Sequence, residues 1–345
     1  MIHRVRHVAD RQDRRLRRVA LPHTYAALLW FGLLLLSHAR AVPRAADADT
    51  PKTPETAQEP IVRVVLIEST GSFKLDLRGP YTLHELGKQN LLARGETISK
   101  MEVIPDPAGI RFGTTAVPKT RVTLTPLKND LLEVDGKKYC GALDVIKGND
   151  GKLMVVNRVS METYLESVVA AEIGPDAPAA ALQAQAVAAR TYASSRIDDE
   201  RQTRAHMYFD LFPDTRSQVY KGHTVCGTNV PRAVTATRGM VLTFKGRLIT
   251  AYFHSTCGGR TESVKNVFSP NEIPPLAGIV CGWCDKTQYS SWKFKLSGKA
   301  LAEKLAQKKH PVGEIRNLET DNVTPAGRVG QVKIWHSKKE TALRV

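Results

Sequence analysis

From Ile61 to Arg158 the apolar residues recur at every second position, and from Ser160 the period becomes that of a helix. The two periods demand different backbones: alternation fits a strand with one face buried, whereas recurrence at i, i+3 and i+4 fits a helix with one apolar stripe. The segments IVRVVLI, FKLDL, RVTLTP, LLEVDGKKY and ALDVIKGNDGKLMVV therefore predict short strands. Asp135-Gly136 and Asn149-Asp150-Gly151 predict tight hairpins, because these residues tolerate positive φ. Ser160 is a good N-cap, METYLESVVAAE predicts one helix, and Gly174-Pro175 breaks it. Pro178 suits the first turn of a second helix running to about Arg196. Farther on, GMVLTFKGRLITAYFHS predicts a hairpin turning at Lys245-Gly246, GKALAEKLAQ a short amphipathic helix and GQVKIWH a strand. The class expected is α+β: a mainly antiparallel β scaffold over 61–158, then a part over 159–345 whose two central helices form one side of a cleft.

Residues 1–41 read as an export signal rather than as structure. Arginines crowd Arg4 to Arg18, an apolar core runs from Tyr25 to Leu36, and Ala39-Arg40-Ala41 has the small-x-small cleavage pattern. The core is shorter than the roughly 20 apolar residues of a membrane span, so cleavage is expected to leave no stable span. Residues 42–60, rich in Ala, Pro, Thr and acid, read as a flexible tether. The remainder, in a chain of 345 residues that is 42% hydrophobic, is long enough to bury a core. The net charge is +16, of which +6 belongs to the eight arginines and two aspartates of residues 1–41. Outside the cytoplasm such an excess suits cell wall, outer leaflet or acidic polysaccharide; a generally basic exported protein with no particular polyanion fits equally. No basic cluster interleaved with aromatics marks a nucleic-acid groove.

On the first predicted helix, Leu165, Val168, Val169 and Glu172 share one face. A carboxyl held among aliphatic side chains binds its proton more tightly than one in water, which is the condition for a general acid near neutral pH. The plainer alternative is a glutamate that ends a helix and reaches water, a placement the helix dipole mildly disfavours. The alanine-rich second helix is slim enough for close packing, and Gln183, Gln185, Arg190 and Tyr192 are its larger polar groups. Arg190 suits bidentate contact with a carboxylate or an anionic sugar substituent, or is one more surface arginine.

The stretch VVNRVSMETYLESVVAAEIGPDAPAAALQAQAVAARTYA, with SQVYKG (217–222) and TRGMVLTFKGRLITAYFHSTCGGRTESVKNVF (237–268), resembles the SpoIID/LytB family over about Val62 to the C-terminus. PAGRVGQVKIW resembles a late family strand more weakly. The resemblance implies one domain over 61–345 and a lytic transglycosylase, or near relative, acting on peptidoglycan glycan strands without a catalytic cofactor. It places the catalytic glutamate at Glu172 and glycan contacts at Arg190, Tyr192, Gln218, Tyr220 and Ser255. For the two tyrosines, core packing with a bonded hydroxyl is an equal alternative. It also implies a rival from another class, a non-catalytic wall-binding protein of the amidase-enhancer kind that partners a cell-wall amidase. Many members carry a Gly-His-Gly segment beyond the last matched strand, which is not in this sequence, and cysteines where this sequence reads DLFPDTRSQ.

The five cysteines are Cys140, Cys226, Cys257, Cys281 and Cys284. His254-x2-Cys257 followed by Cys281-x2-Cys284 has the spacing of a structural zinc site. In an oxidising compartment a disulfide from Cys257 to one of the pair is the competing expectation, with Cys140 and Cys226 bridged or free. His223, in GHTVCG, has no partner assignable from the sequence.

Overall fold

The computed structural model describes residues 59–345 except 204–207, 224–226, 285–286, 288, 338–339 and 345. The export signal at 1–41, nearly all of the tether and Cys226 lie outside the described residues.

The first half alternates as its sequence requires. Strands β1 (Ile61–Thr70), β2 (Phe73–Leu77), β3 (Tyr81–Glu85), β4 (Leu91–Gly95), β5 (Ile98–Asp106), β6 (Gly109–Phe112) and β7 (Thr115–Val117) come first. They are followed by β8 (Arg121–Pro126), β9 (Leu132–Val134), β10 (Lys137–Tyr139), β11 (Ala142–Lys147) and β12 (Leu153–Ser160). Two six-stranded sheets result, ordered β1-β12-β11-β8-β3-β4 and β10-β9-β2-β5-β6-β7, with every ladder antiparallel. Asp135 (φ 46°) and Gly136 (φ 82°) make the β9–β10 turn, and Gly151 (φ 75°) lies in the β11–β12 turn, as their residue types predict. The inward faces of both sheets supply one apolar core, among them Val62, Val64, Leu75, Leu77, Leu124, Leu132 and Val155. Register shifts between Val65 and Ile67 in β1 accompany a second, smaller cluster of Val65, Ile146, Val156 and Phe209.

Helix α1 (Met161–Ile173) starts at Ser160, whose side chain accepts from Thr163 N. Helix α2 (Ala179–Thr203) begins right after Pro178 and continues past Arg196, held by buried Ile197 and by Arg201, which donates to the Ile61 carbonyl and to Asp210. Leu182, Ala186, Ala189 and Ala193 form its buried stripe, so the alanines do allow close packing, against α1 and α3 (Asn229–Ala236). The predicted hairpin at Lys245-Gly246 turns where expected, with φ of 50° and 75°. Its strands, β13 (Thr243–Phe244) and β14 (Arg247–Leu248), are only two residues long. The reason lies in α2: Arg190 takes the Met240 carbonyl and Thr191 Oγ1 takes the Leu242 N–H, diverting backbone groups from a longer ladder. The short helix α4 (Val264–Val267), then α5 (Gly298–Gln307) and a three-stranded sheet of β15 (Ile315–Val323), β16 (Val329–His336) and β17 (Glu340–Arg344), complete the described chain. Among the described residues no helix is long and apolar enough to cross a membrane.

Candidate functional site

Glu172 stands in the last turn of α1, half-buried, two residues before Gly174 ends the helix with φ 82° and ψ 146°. Its Oε1 accepts a hydrogen bond from Val219 N at 2.9 Å. The carboxylate is therefore fixed by the loop that runs back along α1: Lys221 N donates to Ser167 Oγ at 3.1 Å, and His223 N to the Lys138 carbonyl at 2.6 Å.

That loop is anchored from inside. Gln218, 1% exposed, accepts from the Tyr164 hydroxyl at 3.1 Å and donates to the Ala189 carbonyl at 3.4 Å. The Tyr220 hydroxyl donates to Asn157 Oδ1 at 2.7 Å, and Asn157 in turn donates to the Cys140 and Ala142 carbonyls. The rings of Tyr164 and Tyr220 lie 5.2 Å apart. Burial pushes both phenols well up, so they stay neutral donors.

Arg190 is 2% exposed and does grip a carboxylate bidentately, but the carboxylate is that of Glu162: Nε to Oε1 at 2.9 Å and Nη2 to Oε2 at 2.6 Å. Its remaining capacity goes to the Met240 and Val234 carbonyls. Glu162 is at the far end of α1 from Glu172, about 15 Å along the axis at 1.5 Å per residue. Tyr192 is buried edge-on against Tyr252 and Phe253. So four of the five expected glycan contacts, Arg190, Tyr192, Gln218 and Tyr220, are internal side chains engaged with protein partners; Ser255 is exposed.

A second acid of α1 is desolvated. Glu166, half-buried, lines a cavity of about 10 Å³ with Cys140, Thr163, Ser167, Tyr220, Gly222 and His223. Desolvation raises its carboxyl pKa, with His223 working against and Glu162 with that shift. The space holds about one water and no sugar. Cys140 Sγ lies 3.6 Å from His223 Nδ1, and burial pushes the Cys140 thiol up, away from the thiolate form a nucleophile needs. Two roomier grooves, about 480 and 610 Å³, share Thr123 and Arg158 on the first sheet and have no lining residue from the expected glycan site.

Cys257, Cys281 and Cys284 bring their sulfurs within 4.8 Å of one another. His254, expected as the fourth member, is exposed and outside the group, whereas Cys257 is buried. Neither these three nor Cys140 is in a disulfide.

Sequence reasoning missed Glu162 and Asp210. Asp210 is buried and accepts from Arg63 N, Nε and Nη2 and from Arg201. One usable signal existed for Glu162: it and Arg190 are equally distant in sequence from Asp176, midway through the turn of the helix pair.

The family model for stage II sporulation protein (SpoIID) matches residues 149–244, the span holding α1, α2, the anchoring loop and α3. An uncharacterised protein of Brachyspira hyodysenteriae is 31% identical over 278 residues, covering 81% of this chain and 73% of that protein. The chain belongs to the SpoIID/LytB family. Within the family, the amidase enhancer of Bacillus subtilis is 32% identical over 215 residues, 61% of this chain and 28% of that protein. Stage II sporulation protein D of Bacillus subtilis is 30% identical over 165 residues, 44% of this chain and 46% of its own length. The chain thus spans less than half of these two relatives. The family match contains Glu172, Arg190, Tyr192, Gln218 and Tyr220; Ser255 and the three-cysteine group lie beyond it.

Proposed function

We propose that the chain acts on the bacterial cell wall outside the cytoplasm as a lytic transglycosylase, cleaving peptidoglycan glycan strands with Glu172 as general acid and then general base. The observation that carries this reading is the Val219 N to Glu172 Oε1 bond of 2.9 Å. It holds one oxygen of a half-exposed carboxyl, while Oε2 accepts no hydrogen bond among the described residues. One positioned carboxyl is enough for this reaction. It gives its proton to the leaving glycosidic oxygen as the bond to the anomeric carbon breaks, and it takes a proton back from the sugar's own hydroxyl as that oxygen closes onto the same carbon. No second carboxylate has to hold a water, unlike paired-acid hydrolysis. Gln218 and Tyr220 serve as positioning residues, because they tie down the loop that carries Val219. Without the +6 of residues 1–41, the remaining excess of 16 − 6 = 10 positive charges favours contact with an anionic wall.

A second reading has its own support. The amidase enhancer shares 32% identity with this chain, and four of the expected glycan contacts are internal. In that reading the protein binds the wall and stimulates a separate amidase, and Glu172 merely pins the loop.

The test is to incubate the protein with peptide-stripped glycan strands and seek anhydro-muramic ends by mass spectrometry. Wild type is expected to form them and Glu172→Gln not; the amide oxygen of glutamine still accepts from Val219 N, so the loop is retained. Equal product from both proteins removes Glu172 from the mechanism. Product from neither, with stimulation of an added amidase, selects the second reading.

A further inference from the structure

We propose that Cys257, Cys281 and Cys284 form a zinc site that clamps the segment after Ser255 to the arm at 279–284. The three Sγ atoms lie within 4.8 Å of one another, and Cys257 Sγ is 3.4 Å from Cys284 Sγ. Thiolates on tetrahedral zinc at about 2.3 Å stand about 3.8 Å apart, whereas a disulfide needs about 2.05 Å. Three sulfurs converging on one point also exceed what a single disulfide uses. Soft sulfur donors select zinc over the oxygen-seeking magnesium and calcium.

The backbone is arranged around that point. Cys257 N donates to Cys284 Sγ at 3.3 Å, the N–H to sulfur contact that relieves charge on a metal-bound thiolate. Residues 257–261 and 279–281 run antiparallel, with Cys281 N on the Gly259 carbonyl at 2.8 Å, Thr261 N on the Ile279 carbonyl at 2.9 Å, and a bridge between Arg260 and Val280. Gly258 and Gly259, with φ of 67° and 104°, turn the chain immediately after Cys257. Arg328 donates to the Cys257 carbonyl at 2.7 Å and to the Arg260 carbonyl at 3.1 Å. It also pairs with Glu262 at 3.7 Å, and so braces the turn that carries Cys257. The three sulfurs leave the fourth corner of the tetrahedron to a water or another donor.

The clamp compensates for a segment with little core of its own. From Ile279 to Phe294 the large apolar side chains Ile279, Val280, Trp283, Trp292 and Phe294 are all exposed, so burial alone does not hold this arm in place.

The experiment uses the full chain and zinc itself. Protein purified with added zinc and then gel-filtered is expected to retain about one zinc per chain by mass spectrometric metal analysis. Replacing it with Co²⁺ should give thiolate-to-cobalt charge-transfer absorption and tetrahedral d–d bands. Single Cys257→Ser, Cys281→Ser and Cys284→Ser variants are expected to retain less than about a fifth of the zinc, while Cys140→Ser keeps it. Zinc retained equally by all four variants would overturn the proposal. So would a metal-free wild type whose peptides show Cys257 disulfide-bonded to Cys281 or Cys284. The cobalt spectrum is read on wild type, so it decides even if a serine variant does not fold.

Discussion

Arg190 and Glu162 meet inside the helix pair as a two-bond ion pair, at 2.9 and 2.6 Å, with side chains only 3% and 9% exposed. Removing one member strands the other's charge in the interior, which costs about 3–5 kcal/mol. Arg190→Leu is therefore expected to lower the urea midpoint sharply, and joint replacement of both residues by apolar ones of similar volume to recover much of the loss. An Arg190→Leu protein of wild-type stability with weakened glycan binding would instead restore this arginine to the substrate.

The Glu172→Gln change should behave oppositely. Its acceptor for Val219 N survives, so unfolding free energy is expected to stay within about 1 kcal/mol of wild type while glycan cleavage disappears. Parallel urea titration and product analysis check the two halves separately.

Gln218→Ala is expected to cost about 1–3 kcal/mol, because the Tyr164 hydroxyl and the Ala189 carbonyl lose a buried partner. If Gln218 only positions the loop, kcat should fall more than KM rises, and amide exchange at Val219 should quicken. A rise in KM alone, with slow exchange, would mark a substrate contact.

Gly174→Ala tests the end of α1. At φ 82° and ψ 146° a Cβ meets no atom within 4 Å, so the cost is backbone strain alone, about 1–3 kcal/mol. Since the strain falls two residues from Glu172, activity should drop at temperatures where the protein is still folded; full activity with full stability would show that the turn relaxes freely.

Glu166 gives a pH dependence of definite sign. Its carboxyl pKa is raised by desolvation, so between the ordinary carboxylate range and the raised value the folded protein keeps a proton that the unfolded chain has released. Stability contributed by this group is present at low pH and lost as pH climbs through the raised value. Glu166→Gln should therefore raise Tm at pH 7 by a small amount, limited by partial solvent screening, and leave it unchanged at pH 3. Thermal melts of both proteins across that range check it; an increment that grows toward acid would reverse the sign and the assignment.

Much of the scaffold was legible because it depends on neighbours in sequence. The Ser160 cap, the break at Gly174, the turns at Asp135-Gly136 and Lys245-Gly246, and the alternation of β1, β2, β8, β11 and β12 are local consequences of residue type. Strands β3 to β7 escaped notice: Glu85 in β3 and Leu92 in β4 fall out of phase with the apolar alternation, and Pro105 interrupts β5. The helix α3 was missed because it is only 8 residues long and buries only Val230, Ala233 and Val234, too few to display a helical period.

By itself the sequence determined the α+β class, the helix pair and the position of Glu172 at the end of one apolar stripe, since each follows from periodicity and local backbone preference. Only the tertiary structure decided what each polar side chain does. Arg190 faces Glu162, Gln218 faces Tyr164, and three cysteines converge without His254, because those partners come from elements far apart in the chain. A buried charge or donor must find its complement wherever packing brings one, and no period in the sequence encodes that meeting.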